Sequence, residues 1–179
     1  MHLETKDLIL RRMQPSDLEG LFELDSDPIV HKYLGNQPRT HIEESQKDLE
    51  DNMRQWDERG VARWTSIEKS SGDFIGWSGL RLNNDLTYNN HTNFYDVGYR
   101  FIPRYWGKGY ATESSIVALD YFFNVMKKEL LCGIAETENI ASNRVLQKVG
   151  LHFIEDFTID DIPAKWYELK REDYGKKMS

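Results

Sequence analysis

A short glycine-bearing segment, residues 104–112, carries the clearest chemical signal in the sequence. It follows a predicted strand and precedes a predicted helix, so unpaired backbone N–H groups and the positive end of the helix dipole lie beside it. Gly107 and Gly109 have no Cβ, which lets the backbone approach a ligand closely. Arg104 and Lys108 add positive charge to a chain that is acidic overall. These features predict an anion site, and the anion that fits them best is a pyrophosphate.

Two common phosphate-binding motifs fit this segment less well. A Walker A motif has four residues between its glycines and then Lys-Ser/Thr, whereas one residue separates Gly107 from Gly109. A dinucleotide fingerprint, Gly-x-Gly-x-x-Gly, requires a glycine at the position of Thr112, and it occurs early in a repeated strand–helix pattern. Here the glycines follow a predicted antiparallel hairpin. The description that remains is Arg-x-x-Gly-x-Gly at a strand-to-helix junction.

This motif resembles the pyrophosphate-binding loop of the GNAT superfamily of acetyl-CoA-dependent N-acyltransferases. The family's later motifs follow in order, with Asn-x-x-Ser at Asn139–Ser142 and Lys-x-Gly at Lys148–Gly150. The resemblance covers essentially the whole chain, because it extends to residues 8–13, 25–34 and 166–169. Within the superfamily, residues 105–113 are similar to the Rim-type ribosomal-protein N-terminal acetyltransferases.

The resemblance implies how acetyl-CoA is held. A bulge in the strand 97–102 splays it from the strand 130–135, and acetyl-pantetheine lies in the opening, since a bulge frees backbone groups. The backbones of Phe101 and Ile102 then bind the pantetheine amides and the acetyl carbonyl, and one N–H also serves the oxyanion. The pyrophosphate lies on the loop and the first helical turn, which assigns cofactor binding to Arg104, Gly107, Lys108, Gly109, Tyr110, Ala111 and Thr112.

Direct acyl transfer needs a deprotonated amine, a polarised thioester and a proton for the leaving thiolate. Asp96 is the first candidate for the base, at a position where similar proteins often carry Glu. Aspartate is one methylene shorter, so we expect it to act through a bridging water. A solvated carboxylate at the strand edge is an equally good interpretation of Asp96. Glu136 and Glu138 are reserve candidates, and a water chain without a single base is the remaining alternative.

The family's usual acid for the leaving thiolate is a Tyr four residues before the glycine of Lys-x-Gly, and here that position is Leu146. Rim-type members place the serine of Asn-x-x-Ser near the sulfur, which assigns this role to Ser142, directly or through water. The alternative for Ser142 is a hydroxyl that caps the first helical turn. Asn139 and Asn143 are predicted to contact pantetheine, with helix capping as the alternative for Asn139.

Hydrophobic periodicity predicts the element order β-α-α-β-β-β-α-β-α-β-β. The strands are 8–13, 61–68, 74–82, 94–102, 130–135, 152–159 and 165–169, and residues 83–93 are predicted as a polar loop. This order mixes hairpins with one strand–helix–strand crossover. It predicts an α+β fold with a mixed, mostly antiparallel sheet of about seven strands and about four helices, in a single domain over residues 1–179. The resemblance implies that this fold is GNAT-like.

Composition excludes several classes of function. The net charge of −7, from 23 basic and 30 acidic residues, argues against nucleic acid and anionic membrane as partners. No apolar run approaches the length of a membrane span and no signal peptide is evident, which predicts a cytoplasmic protein. The single cysteine, Cys132, is predicted to be buried and inert, and the five histidines have no zinc-type spacing. No metal is therefore predicted.

The resemblance implies an acetyl-CoA-dependent N-acetyltransferase, a monomer or homodimer, whose acceptor is a primary amine such as a protein N-terminus. The candidates for attracting a cationic amine, with a solvated acidic surface as the alternative, are Asp25, Asp27, Tyr33, Glu155, Asp156, Asp160 and Asp161. One alternative is an enzyme for a small amine, namely a polyamine, an aminoglycoside or an amino acid. Another is a CoA-binding module without turnover, which Leu146 and the short Asp96 suggest.

Overall fold

The computed structural model describes residues 2–175. Its strands form one sheet in the order β1-β2-β3-β4-β5-β6-β8-β7. Neighbours are antiparallel except β5 and β6, which are parallel. The strands are β1 (His2–Glu4), β2 (Leu8–Arg12), β3 (Arg63–Glu68), β4 (Phe74–Tyr88), β5 (His91–Phe101), β6 (Leu130–Glu136), β7 (His152–Ile159) and β8 (Ile162–Lys170).

The helices are α1 (Leu18–Ser26), α2 (Pro28–His31), α3 (Ile42–Arg59), α4 (Tyr110–Asp120), α5 (Ile140–Val149) and α6 (Arg171–Tyr174). Helix α1 packs on α3, and α4 packs on α5. Arg100 of β5 contacts Asp25 of α1, whereas Tyr99 contacts Ser142 of α5. We call the two sides of the sheet the α1 face and the α5 face. The β5–α4–β6 crossover and the hairpins confirm the predicted α+β fold.

The prediction of a loop over residues 83–93 is wrong. Strands β4 and β5 continue through this segment as a long hairpin, with Thr87 opposite Thr92 and Tyr88 opposite His91. Backbone pairing does not require apolar side chains, so hydrophobic periodicity cannot detect the β4–β5 pairing in this polar segment. The two-residue turn, Asn89-Asn90, has φ angles of 47° and 64°, a left-handed conformation that asparagine tolerates and that two-residue hairpin turns favour.

Strand β1 is also absent from the prediction, so the described sheet has eight strands instead of about seven. The apolar residues form two clusters. The larger one includes Trp64, Leu119 and Phe122, which are buried between the sheet and its helices. The smaller one contains Phe94, Cys132, Phe157, Ala164 and Trp166. The His91 ring stacks on Trp166 with centroids 4.1 Å apart, so the β4–β5 hairpin covers this cluster.

No helix within residues 2–175 is both long enough and apolar enough to cross a membrane.

Candidate active site in the opening between two strands

The parallel ladder between β5 and β6 is short. It pairs Tyr95 with Leu131 and Asp96 with Cys132. Beyond these pairs, β5 continues on β4 and β6 continues on β8. The two central strands therefore separate after Asp96, as predicted, and an opening lies between residues 97–101 and 133–136.

The predicted bulge over residues 97–102 is not present in the ladder with β4. Residues 94–101 pair one for one with residues 83–76 of β4, and the register shift of this hairpin lies between Asn83 and Thr87. The opening arises instead because β6 stays paired with β8 along its whole length. Strand β5 consequently turns the free side of its backbone towards the opening.

Phe101 and Ile102 differ in how their backbone groups are used. The N–H of Ile102 donates to the Ile75 carbonyl at 2.9 Å, and its carbonyl accepts from the N–H of Tyr105 at 2.9 Å. Successive N–H groups along a strand point to opposite neighbours, so the N–H of Phe101 points to the opening. The Phe101 carbonyl accepts from the indole Nε1 of Trp106 at 2.6 Å. Phe101 is therefore the better placed of the two predicted backbone donors.

The glycine loop forms an open cradle. Gly107 and Gly109 have φ angles of 75° and 86°, a left-handed region that favours glycine. A Cβ at either position would have no heavy atom within 4 Å. The N–H of Glu113 donates to the Gly109 carbonyl at 3.0 Å, which leaves the N–H groups of residues 110–112 without an intrahelical partner. Space, backbone donors and the helix dipole together fit a pyrophosphate.

The two cations of the loop are paired with carboxylates in this structure. Arg104 is exposed and forms an ion pair with Glu23, and this hydrogen bond raises the pKa of Arg104. The Nζ of Lys108 donates to Glu68 Oε1 at 2.9 Å. Both side chains reach solvent, so each can turn from its carboxylate to a phosphate at the loop.

The buried carboxylate of Glu68 binds two residues of the glycine loop, Lys108 and Tyr110. Glu68 Oε1 accepts from the Tyr110 phenol at 2.5 Å, and Oε2 accepts from the Ser71 hydroxyl at 2.9 Å. The Tyr110 hydrogen bond, followed by that of Lys108, lowers the pKa of Glu68 to about 2. The same bond raises the pKa of Tyr110 to about 12. The phenol of Tyr110 thus points into the protein, and only its backbone N–H lies on the ligand side.

Asp96 stands where the opening begins, and its carboxylate is held on both sides. Arg63 Nη2 donates to Oδ2 at 2.5 Å, and Asn83 Nδ2 donates to Oδ1 at 2.7 Å. The Asp96 side chain is 14% exposed, so it is not a solvated carboxylate at a strand edge. Arg63 Nη1 also donates to the carbonyls of Gly79 and Asp96. Asp96 therefore has a fixed position on the α1 face, and its role as a base stays a prediction.

The guanidinium of Arg63 reaches Asp96 across Gly98. A Cβ at Gly98 would lie 2.7 Å from Arg63 Nη2 and 2.9 Å from Cζ. The absence of a side chain at Gly98 is thus what allows Arg63 to lie flat on the sheet. Arg63 was not among the predicted site residues, because only the β3–β4–β5 register brings it beside Asp96.

The reserve candidates Glu136 and Glu138 lie at the other wall of the opening. They line a cavity of about 230 Å³ together with Asp161, Ile162 and Pro163 of the β7–β8 hairpin. Burial raises the pKa of Glu136. The cavity therefore collects carboxylates from two elements beyond the end of β6.

The start of α5 supplies three predicted site residues with different surroundings. Asn139 Oδ1 accepts from the N–H of Ser142 at 3.1 Å, so Asn139 caps the helix. Asn143 Nδ2 donates to the carbonyls of Glu136 and Asn139, and Oδ1 accepts from the Tyr167 phenol at 2.6 Å. The Asn143 amide is used within the protein and fixes α5 on the sheet. Ser142 is half-buried. Because Asn139 caps the helix, the hydroxyl of Ser142 does not serve as the cap.

These features agree with comparisons to known proteins. A family model for the acetyltransferase (GNAT) domain matches residues 7–152. The chain belongs to the GNAT acetyltransferase family. YkkB of Bacillus subtilis, an uncharacterized protein, is 31% identical to this acetyltransferase over 172 residues, which cover 94% of this chain and 95% of YkkB.

Two solved structures with bound CoA share the fold of this acetyltransferase. Spermidine N-acetyltransferase from Vibrio cholerae, in complex with CoA and spermine, matches with a TM-score of 0.74 at 18% identity. The alignment covers 94% of this chain and 98% of the Vibrio cholerae chain. RimL, a ribosomal alpha-N-protein acetyltransferase in complex with CoA, has a TM-score of 0.76 at 14% identity and covers 95% and 98%. The likeness of both proteins to this acetyltransferase is one of fold.

Sequence reasoning missed Tyr99, which belongs to the part of β5 that has separated from β6 in this acetyltransferase. Its phenol donates to the Ser142 carbonyl at 3.4 Å, and its ring lies parallel to Phe101 at 6.3 Å. Burial raises the pKa of Tyr99 to about 12. The sequence did indicate the face on which Tyr99 lies, because Tyr99 is three residues from Asp96 and side chains at this spacing on a strand point to opposite faces. Tyr99 therefore lies on the face opposite Asp96.

Cys132 is buried, as predicted. Burial, together with the Glu168 and Asp96 carboxylates, raises the pKa of Cys132. A thiol that stays protonated is a poor nucleophile. Among the described residues, no group of three or more His, Cys, Asp or Glu side chains could hold a metal ion.

Proposed function

We propose that this acetyltransferase transfers the acetyl group of acetyl-CoA to a primary amine by direct attack, and that the amine is a protein N-terminus. The observation that carries the direct mechanism is the fixed carboxylate of Asp96 at the start of the opening. It is the site where an amine that enters from the α1 face meets a thioester lying between β5 and β6. Because both carboxylate oxygens have protein partners, Asp96 takes the amine proton through a bridging water.

Ser142 is the second catalytic residue of the proposal. Its position in the first turn of α5 and its half-exposed side chain suit a hydroxyl that assists the leaving thiolate. The choice of a protein N-terminus rests on the similarity of residues 105–113 to the Rim-type enzymes. We also propose the cytoplasm as the location, a single domain, and a monomer or homodimer as the assembly.

A small amine is the second candidate acceptor. The observation that favours it is the cavity beyond β6, where Glu136, Glu138 and Asp161 form a negatively charged wall. Opposite charge attracts cationic amines to such a wall. A polyamine would use this charge along its length, whereas a peptide N-terminus carries one ammonium group.

A thiol-release assay with acetyl-CoA distinguishes these candidates. The acceptor panel contains peptides with free N-termini, the same peptides with acetylated N-termini, spermine, an aminoglycoside and free amino acids. We expect CoA release with the free peptides and none with the blocked ones. Turnover with spermine alone would overturn the N-terminal proposal in favour of the small amine. CoA binding without release for any acceptor would favour a binding module.

A further inference from the structure

The usual hydroxyl for the leaving thiolate is missing from α5, because a buried leucine occupies its position. Leu146 is 2% exposed and packs over Gly133 of β6. A Cβ on Gly133 would lie 2.7 Å from Leu146 Cδ2. The helix therefore presents a tightly packed apolar side chain to the wall of the opening at this position.

We propose that the phenol of Tyr99 donates a hydrogen bond to the sulfur of acetyl-CoA as the thiolate leaves, a role that rests on the acetyl transfer proposed above. Tyr99 belongs to residues 97–101, the part of β5 that has separated from β6. Its phenol crosses from β5 to the first turn of α5, where it meets the Ser142 carbonyl. The hydroxyl thus lies between β5 and the first turn of α5, on the α5 face of the sheet.

The hydrogen bond that Tyr99 makes in this structure is a weak one. Its length of 3.4 Å lies well beyond the usual range for O–H···O bonds. A phenol rotates about its C–O bond, so the proton can turn to a better acceptor. A thiolate is such an acceptor, because hydrogen bonds to ionised groups are about twice as strong as those between neutral groups. Burial of the phenol strengthens the interaction further.

The phenol of Tyr99 acts as a hydrogen-bond donor that keeps its proton. Its value of about 12 keeps the proton on oxygen at neutral pH, so Tyr99 always has a donor to offer. The ordinary tyrosine pKa of about 10 is already above the thiol value of about 8.5, so the phenol shares its proton with the sulfur in a hydrogen bond and does not transfer it. The carbon–sulfur bond breaks, its electron pair goes to sulfur, and the phenol stabilises that charge. The thiolate takes its proton afterwards from solvent.

The pKa of the thiol of bound CoA tests this role without any acceptor. It is measured by following thiolate absorbance against pH in the wild type, Tyr99→Phe and Ser142→Ala. We expect Tyr99→Phe to raise the pKa of the bound thiol by about one unit, a tenfold loss of thiolate. Tyr174→Phe is the matched control. Tyr174 lies in α6, away from the opening, and its phenol makes an equally long hydrogen bond of 3.4 Å to Asp120 of α4.

Calorimetry with CoA ensures that the comparison is made on folded, ligand-bound protein. We expect similar CoA affinity in the wild type and Tyr99→Phe, and about tenfold lower kcat with little change in KM for acetyl-CoA. An unchanged thiol pKa in CoA-bound Tyr99→Phe would overturn the proposal, and a shift in Ser142→Ala alone would move the role to Ser142. Tyr99→Met provides a second variant without a hydroxyl if Tyr99→Phe does not fold. Because the titration of the bound thiol needs no acceptor, a negative acceptor panel leaves that measurement intact.

Discussion

Asp96 and Tyr99 lie three residues apart on β5 and point to opposite faces of the sheet. Asp96 contacts Arg63 and Asn83 on the α1 face, while Tyr99 contacts Ser142 on the α5 face. A thioester between β5 and β6 would lie between the two groups. The amine proton would then leave on one face and the thiolate charge would develop on the other, so the carboxylate and the phenol would not neutralise each other.

This separation predicts that the two residues control different measurements. Asp96→Asn keeps the shape of the side chain but removes its charge and one of its two acceptor oxygens, so we expect kcat/KM to fall by about 10²–10⁴-fold. The pKa of the thiol of bound CoA should not change. Asp85→Asn is a control at an exposed carboxylate paired with Arg59. A pH–rate profile of Asp96→Asn that matches the wild type would contradict the assignment of the base.

Gly98→Ala is expected to disturb Asp96 indirectly. The added Cβ would lie 2.7 Å from Arg63 Nη2, and Arg63 cannot move without losing its bonds to Asp96 and Gly79. We expect about tenfold lower kcat with unchanged CoA affinity in calorimetry. Gly175→Ala, whose Cβ would meet no atom within 4 Å, should retain wild-type kinetics. Wild-type kcat in folded Gly98→Ala would show that the position of Arg63 is not critical.

Gly109→Val tests the pyrophosphate cradle. A branched residue at a φ of 86° is strained by about 1–2 kcal/mol, but it meets no protein atom, so the fold should persist. We expect at least tenfold weaker CoA binding, because the side chain occupies the space over the loop. Gly60→Val is the matched control, since Gly60 has a φ of 70° and equally open space at the end of α3. Equal CoA affinity in the two folded variants would place the pyrophosphate elsewhere.

The Glu68 network predicts a change of stability in acid. The folded pKa of Glu68 is about 2, below the ordinary 4.5, so its stabilisation is present above pH 4.5 and is lost as the pH falls towards 2. Glu68→Gln should flatten the dependence of the unfolding free energy on pH in this window, measured by chemical denaturation followed by circular dichroism. Glu19→Gln, at an exposed position of α1, should follow the wild-type curve. The same steep loss in Glu68→Gln would assign the effect to other carboxylates.

The sequence allowed the glycine loop and the position of Asp96 to be predicted, because both depend on local signals. Gly107 and Gly109 indicate a left-handed backbone before a helix, and the position of Asp96 follows from the predicted strand that contains it. The partners of Asp96 could not be predicted, since Arg63 and Asn83 come from β3 and from the far part of the hairpin. The polar residues 83–93 concealed that hairpin, and only the sheet register brings these side chains together.

The last prediction separates capping from catalysis at the start of α5. Asn139 is the observed cap, with its Oδ1 3.1 Å from the N–H of Ser142, so Asn139→Ala should lower stability by about 1 kcal/mol. Ser142→Ala leaves this bond in place, and its melting temperature should stay close to the wild type. If the Ser142 hydroxyl assists the thiolate, its turnover should nevertheless fall by about tenfold, less than the loss of a full general acid. Unchanged turnover per folded molecule would remove Ser142 from catalysis, and a lower melting temperature would give its hydroxyl a structural role that the Asn139 cap does not cover.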